Sequence, residues 1–338
     1  MEKLIRIGMD TSKSVFQVHG VNASEQVVLR RKMRRKEMVG FFSSLEPTLV
    51  AIEACGSAHH WARVLSGMGH VVKLIAPQHA KRYVKRGKND AADAAALCEA
   101  VSRPDMQFVA AKSTEQQAGM MLAGVRSRLI RSRTQLTNAI RSYAAEFGLI
   151  AAKGLDKIEP LLARAAADPD LSELAHELFA LQGREYARLQ AELREVEAKL
   201  MAWHRGNECS RRLAQVPGIG PVGGSLLAMK QPDAKACRSG RHFAAWVGLT
   251  PKDHSTAGRT RLGGITRAGD PALRSVLVVG AMAVIRQAIL NPDKASPWLR
   301  ALLARKPKKL AAVALANKTA RIAWKLMTSG EHYRAVTA

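Results

Sequence analysis

Two apolar runs that each stop on an acid constrain this chain more than any other feature. Leu4-Ile5-Arg6-Ile7-Gly8-Met9 ends on Asp10, and Leu49-Val50-Ala51-Ile52 ends on Glu53. Both have the length and apolar content of a buried strand. Both give way to small or polar residues, Thr11-Ser12 and Ala54-Cys55-Gly56-Ser57, as strand ends do. An acid at a strand end caps the turn or helix that follows, or is the first ligand of a metal site; other acids decide which. Between the two runs, Ser14 to Val21 and Gln26 to Leu29 read as strands around the turn Asn22-Ala23-Ser24. Arg30-Arg31-Lys32 and Arg34-Arg35-Lys36 come next, open to two readings: a solvated strand end and helix start, or a set of phosphate contacts. Residues 37–45 and 60–65 look helical, and Val71 to Ile75 is a strand stopped before Pro77. The order β-β-β-α-β-α-β predicts a mixed sheet flanked by helices, not a doubly wound parallel one.

Two further acids follow a basic segment. Lys81-Arg82-Tyr83-Val84-Lys85-Arg86-Gly87-Lys88 leads into Asn89-Asp90-Ala91-Ala92-Asp93-Ala94-Ala95-Ala96-Leu97, whose alanines favour a helix. Asp90 and Asp93 are three apart and share one helix face. Acids in a first turn also suit the helix dipole, which is the plain alternative for this pair. Taken together, Asp10, Glu53, Asp90 and Asp93 lie at two strand ends and one helix start that a mixed sheet can bring together. Carboxylates packed so closely repel, by ~4 kcal/mol for a pair at 4 Å and an effective dielectric of about 20. A cation relieves that, and all-oxygen ligands favour Mg²⁺, with Mn²⁺ as the alternative. Two such ions would clamp the attacking and leaving oxygens of a phosphodiester. Lys81, Arg82, Lys85, Arg86 and Lys88 would hold a polyanion beside them.

The charge supports that reading. A formal +25 makes nucleic acid the leading partner, ahead of an anionic membrane surface. Aromatic residues make up 5% of the chain, which argues against a platform for stacking single strands. The sequence has no apolar run long enough to suggest a membrane span and no secretory leader pattern. Its four cysteines, Cys55, Cys98, Cys209 and Cys237, are too scattered for a zinc site or a disulfide framework. They suit a reducing cytoplasm.

Gly8-Met9-Asp10-Thr11-Ser12-Lys13, Ile52-Glu53-Ala54-Cys55-Gly56 and Lys88-Asn89-Asp90-Ala91-Ala92-Asp93-Ala94 resemble, in order, the three motifs of the DEDD transposases of bacterial insertion sequences, relatives of the Piv DNA invertase. Asn89 stands where the family often has Thr, and Cys55 where Thr or Ser is usual; neither is a metal ligand. The resemblance implies a RuvC-like (RNase H) N-terminal domain with Asp10, Glu53, Asp90 and Asp93 as catalytic metal ligands.

Downstream, Ser113 to Phe147 has helical periodicity, with Leu122, Val125, Leu129, Leu136, Ile140, Tyr143 and Phe147 as its apolar positions. After a break near Asp168-Pro169-Asp170, Leu171, Leu174, Leu178 and Leu181 form one seam. Leu189, Leu193, Val196, Leu200 and Trp203 continue it with heptad-like spacing. An antiparallel hairpin within the chain and a coiled coil between chains both explain the pattern; the resemblance favours the second. Val216-Pro217-Gly218-Ile219-Gly220-Pro221 resembles a helix-hairpin-helix turn, in which Gly218 and Gly220 would let backbone N–H groups approach a phosphate, with a plain glycine-rich helix connection as the alternative. No strand precedes it, so a dinucleotide site is not expected. Residues 252–270 lack periodicity and read as a long loop, functional or disordered, with helices at 271–290 and 307–328 beyond. From Arg238 onward eighteen Lys and Arg face four Asp and Glu. Arg259, Arg261, Arg267 and Arg274 are therefore candidate nucleic-acid contacts, with Lys85, Arg86, Lys88, Gly218 and Gly220.

The resemblance returns here. Gly248-Leu249-Thr250-Pro251, a serine, then Arg267-Ala268-Gly269-Asp270 and Leu273-Arg274 match the family's C-terminal transposase domain. This alignment places Ser255 on the family's nucleophilic serine, with Thr256 the adjacent alternative. A serine hydroxyl needs activation, which the carboxylate–metal site would supply, in one subunit or across two. The organisation expected is a RuvC-like domain at 1–112, a helical coiled-coil region at 113–205 and a mostly α-helical transposase domain at 206–338. The resemblance implies transposition of an insertion sequence through a 5′-phosphoserine intermediate. It also implies a homo-oligomer, a dimer or tetramer, and an element-encoded bridge RNA that pairs with target and donor DNA. Two other readings of the residues stay open: a RuvC-like metal-dependent junction nuclease with no serine nucleophile, and a non-catalytic nucleic-acid-binding protein whose acids are caps.

Overall fold

The computed structural model describes residues 3–84, 89–231 and 233–334. The chain forms two compact units, Met1–Gln117 and Ala118–Ala338. Of the basic residues expected to hold a polyanion, Lys85, Arg86 and Lys88 lie outside the described residues.

The first unit is built on a mixed six-stranded sheet of order β3-β2-β1-β4-β5-β6. β1 (Leu4–Thr11), β2 (Val15–Asn22) and β3 (Val27–Arg34) form an antiparallel meander. β4 (Leu49–Glu53) and β5 (Val71–Ile75) continue parallel to β1, and the short β6 (Phe108–Val109) closes the edge antiparallel to β5. The Arg30–Arg34 cluster belongs to β3 throughout; the strand outlasts its apolar part because β2 supplies ladder partners as far as Val15↔Arg34.

Strand alternation sorts the side chains between two faces. Ile7, Met9, Phe16, Val18, Met33, Val50 and Ile52 point to one face. There they meet α1 (Met38–Ser43) through Met38 and Phe42, and α2 (Ala58–Gly67) through Trp61, Ala62 and Leu65. All of these are essentially inaccessible, and each large one contributes about 1.5–3 kcal/mol by its burial. On the other face, Ala51 and Ile75 pack with Leu97 and Ala100 of α4 (Asp90–Ala100), and α3 (Pro77–Ala80) lies between β5 and α4 in the chain. Gly8 faces α4 directly: a methyl group there would overlap the Ala94 carbonyl oxygen and the Cys98 amide nitrogen. The missing side chain lets the helix lie against β1.

In the second unit, α5 (Thr114–Glu146, opening in the last residues of the first unit) and α7 (Glu173–Gly206) run antiparallel. Arg126 donates to Glu197 at 2.7 Å and Arg133 to Gln190 at 2.8 Å, while Leu129 packs with Leu189 and Leu193. α6 (Ile158–Ala167) covers one end through Ile158, Leu161 and Ala165 against Leu171, Ala175 and Phe179. The leucine seam thus divides. Leu189, Leu193 and Leu200 are buried within the chain, whereas Leu174, Leu178 and Leu181 are 64%, 48% and 53% exposed.

α8 (Glu208–Leu213) and α9 (Pro221–Lys230) flank the glycine turn, and α10 (Gly240–Val247) ends on Gly248 in the left-handed region. α11 (Pro271–Leu290), α12 (Pro297–Arg305) and α13 (Lys308–Ser329) complete the unit. The core joins Leu213, Leu227, Phe243 and Val247 to Leu273, Leu277 and Ile285 of α11, and to Ala312, Ala316, Ala320 and Ala323 of α13. The alanines recur every three or four residues, so α13 can approach its neighbours closely along one face. α11 is long and apolar enough to cross a membrane by length and composition, yet Leu273, Leu277, Ala281 and Ile285 form part of this core. The segment expected as a loop contains a hairpin, β7 (Pro251–Asp253) and β8 (Leu262–Ile265). Its pattern escaped periodicity because both faces are largely exposed.

Candidate active site

β1 and β4 are neighbouring parallel strands with Met9 opposite Ile52, so Asp10 and Glu53 leave the sheet side by side at its carboxyl edge. Alternation puts both on the face that α4 covers, since Met9 and Ile52 point the other way. The loops beyond are tied together by Thr11 Oγ1 and Cys55 Sγ at 3.3 Å, so the thiol makes a contact within reach of a hydroxyl. α4 supplies the other two acids from its first turn. Asn89 caps it, its side chain accepting from the Ala92 amide at 2.8 Å. Asparagine caps as well as threonine does, which explains why it serves here.

The charges of the four acids act on Asp10 and Glu53. Burial pushes the Asp10 carboxyl up to about 6, and the charges of Asp90, Asp93 and Glu53 push in the same direction. Glu53 is raised by burial and by Asp93, with Lys81 partly offsetting the effect. Among the described residues, no three His, Cys, Asp or Glu side chains are arranged to hold a metal ion as they stand. The set nevertheless suits a hard divalent cation: it offers only carboxylate oxygens, and their mutual repulsion is what a cation neutralises. Lys81 and Arg82 are exposed in a single 3₁₀ turn after α3.

Ser255 lies just beyond β7. Its amide donates to Asp253 Oδ1 at 2.8 Å, and its hydroxyl oxygen accepts from the Arg261 amide at 3.0 Å across the hairpin. The Asp253 carboxylate also bonds the Ser255 side chain, and these bonds hold its pKa below the usual value. Ser255 is exposed, as are Arg259 and Arg261 beside it; Thr256 instead pairs through its backbone with Arg259. Asp253 was missed from the sequence, although an Asp two residues before a Ser is a readable side-chain-to-backbone turn signal.

The other sequence candidates differ in their surroundings. Arg267 is exposed at φ 56°, its amide bonded to the Gly248 carbonyl at 3.2 Å. Arg274 is engaged inside the fold, donating to Val247 O at 3.1 Å and Gly269 O at 2.6 Å. Gly218, at φ 88°, packs on the backbone of Gly280 in α11, so its lack of a side chain already has a packing role. Gly220 is the exposed N-cap of α9, ahead of Pro221. Asp270 caps α11 by accepting from the Ala272 and Leu273 amides and pairs with Lys230.

Comparison with known proteins agrees across both units. Residues 7–147 match a DEDD transposase family of the IS110 type, and residues 210–302 match the transposase IS116/IS110/IS902 family. A putative transposase (y4pF/y4sB) of Sinorhizobium fredii is 65% identical over 99% of this chain and 87% of its own length. A probable family 20 transposase of Pseudomonas aeruginosa is 48% identical over 98% and 99% of the two chains. The transposase for insertion sequence element IS1328 of Yersinia enterocolitica is 38% identical over 98% of each.

Proposed function

The chain belongs to the IS116/IS110/IS902 family of DEDD transposases, and from that membership we propose that it cuts and rejoins DNA through Ser255 and the four acids. Its activity is DNA transposition. The finer reading is a RuvC-like N-terminal domain, Mg²⁺ bound by Asp10, Glu53, Asp90 and Asp93, and a covalent 5′-phosphoserine on Ser255. The observation that supports it is the placement of Asp10 and Glu53 on neighbouring parallel strands under α4, where burial first, and then the charges of Asp90, Asp93 and Glu53, push Asp10 up to about 6.

When bound, the cation would neutralise these acids and stabilise negative charge on the reacting phosphate. Ser255 Oγ gives up its proton to solvent and forms the new bond to phosphorus as the bond to the 3′-oxygen breaks, leaving a 3′-hydroxyl once that oxygen takes up a proton from solvent. Rejoining runs the same exchange with a 3′-hydroxyl of another strand as nucleophile. Asp253 accepts the Ser255 hydrogen bond and orients the hydroxyl. Its lowered pKa makes it a positioning residue more than a proton acceptor. Sequence choice would rest with an element-encoded bridge RNA paired to target and donor DNA, and the working form would be a homo-oligomer.

The test is the covalent protein–DNA adduct. It is expected to disappear in Ser255→Ala, to survive Thr256→Ala and to need Asp10. Cleavage and strand exchange by Ser255→Ala would overturn the serine mechanism and leave a metal-dependent junction nuclease. Full activity in Asp10→Ala would overturn the carboxylate–metal reading and leave the acids as caps. Sequencing the RNA that copurifies tests the guide: RNA from the flanks of the gene, with loops complementary to the insertion site, is the expected result.

A further inference from the structure

The register of β3 sorts its basic residues between two environments. Strand alternation splits the run between the two sheet faces. Arg31 and Arg35 fall on the side of the α1–α2 core: Arg31 stacks on Phe41 at 5.3 Å, and Arg35 lies over Phe16 and Trp61 at 5.9 and 5.3 Å. Arg30, Lys32 and Arg34 fall on the opposite side, which is the side of Asp10. The ladder makes this explicit: Asp10 is opposite Gln17, and Gln17 is opposite Lys32, so one cross-strand row runs from the acid to the sheet edge. Arg30 and Arg34 flank that row through His19 and Val15.

All three basic side chains are exposed, and none has an acidic partner within ion-pair distance among the described residues. Of the nearby acids, Glu25 is engaged by Arg6 and Glu99 by Arg103, and Glu37 accepts from the backbone amide of Arg34 at 2.6 Å, with no ion pair to the Arg34 guanidinium among the described residues. β3 is the sheet edge, so no further strand covers the track. Two strand spacings, roughly 10 Å, separate Lys32 from Asp10, and successive charges along β3 are ~6.8 Å apart. The latter is about two base-pair rises of one DNA strand.

We propose that Arg30, Lys32 and Arg34 form a phosphate track on the Asp10 face of the sheet, seating the backbone of the DNA that enters the carboxylate site. This rests on reading the four acids as the place where a phosphate is cut. The contact is electrostatic and blind to sequence, so it contributes to affinity and alignment and leaves target choice elsewhere.

The experiment measures binding of a duplex DNA to the full-length protein as a function of NaCl, for the wild type, the triple variant Arg30→Gln/Lys32→Gln/Arg34→Gln, and Arg31→Gln. Each lost phosphate contact lowers the slope of log K against log salt by about 0.9. The triple variant should therefore lose between two and three units of slope, and Arg31→Gln none. An unchanged slope in the triple variant overturns the proposal, as does an equal fall per charge in Arg31→Gln. A loss confined to duplex RNA overturns the assignment to DNA. If the triple variant does not fold, Lys32→Gln alone must lose about 0.9 of slope. Because the readout is binding, it is independent of chemistry: an active Asp10→Ala protein would refute the carboxylate site, whereas the slope alone decides the track.

Discussion

Replacing Gly8 with alanine tests whether the closeness of β1 and α4 is what assembles the carboxylates. A methyl group at this position would stand 3.0 Å from Cys98 Cα and closer still to the Ala94 carbonyl oxygen and the Cys98 amide nitrogen, where ordinary contact begins at 3.4 Å. All three atoms are backbone, so no side chain can swing away; the helix must retreat. Overpacking of this kind costs roughly 1–3 kcal/mol. About 0.4–1 kcal/mol returns because alanine restricts the unfolded chain and Gly8 is not at positive φ. A net loss near 1–2 kcal/mol lowers the melting temperature of this unit by several degrees and leaves it folded. The effect on function is larger. Asp90 and Asp93 ride on the first turn of α4, while Asp10 stays on β1. Metal–oxygen distances tolerate only about 0.2 Å, and a misplacement of ~1 Å can cost 100-fold in rate. DNA cleavage by Gly8→Ala should fall by about two orders of magnitude, with a raised Mg²⁺ requirement, while circular dichroism still shows the fold. Gly40→Ala is the control, since a methyl there meets nothing within 4 Å. Wild-type cleavage with wild-type Mg²⁺ dependence in Gly8→Ala would refute the reasoning.

Four further outcomes are expected. Mg²⁺ should raise the melting temperature of the wild type, by about 2.7 kcal/mol of stabilisation at 100 times its dissociation constant, and should not do so for Asp10→Ala/Glu53→Ala. Burial opposes ionisation of Asp270, but Lys230 and the α11 amides outweigh it and hold its pKa below the usual value. Its stabilising contribution is thus fully present above the unfolded carboxylate pKa near ~4 and lost as pH falls through the lower folded value. Asp270→Asn should cost about 1.5–3 kcal/mol in urea unfolding at neutral pH and flatten that acid-side loss, and Asp270→Ala about 1 kcal/mol more as the cap goes. Gly280→Ala drives a methyl into the Gly218 carbonyl oxygen, so about 3 kcal/mol should be lost, read from the shift in urea midpoint. Asp253→Asn keeps the turn but weakens the acceptor facing Ser255; adduct formation should slow by roughly tenfold with an unchanged melting temperature. An adduct rate equal to wild type would remove Asp253 from the mechanism.

The N-terminal strands, α4 and the long helices were legible because each carries a period or a stop that local chemistry imposes. β1 and β4 announce themselves by apolar runs ending on acids, and α4 by its alanines and its paired acids. The full length of β3 was not legible: Arg30 to Arg34 are in a strand because β2 offers ladder partners, and that is a tertiary fact. The hairpin at 251–265 hid for a related reason, its strands being short and exposed on both faces. The leucines of α7 gave the period but not the partner, since helical spacing alone does not say which leucines α5 covers. The strand ends and helix start that carry the four acids could be read as pattern, whereas the role of Gly8 could not. Its role depends on an approach of backbone to backbone that the sequence shows only as one small residue in a strand.

The two halves of the proposed chemistry are assembled over different lengths of chain. Asp253, Ser255 and Arg261 hold one another within a single hairpin, so that geometry travels as a cassette and survives any movement of the segment as a whole. The carboxylates come from β1, β4 and α4, and their spacing exists only when sheet and helix are in place. Destabilising mutations spread through the first unit should therefore abolish the carboxylate function well before they disturb the serine.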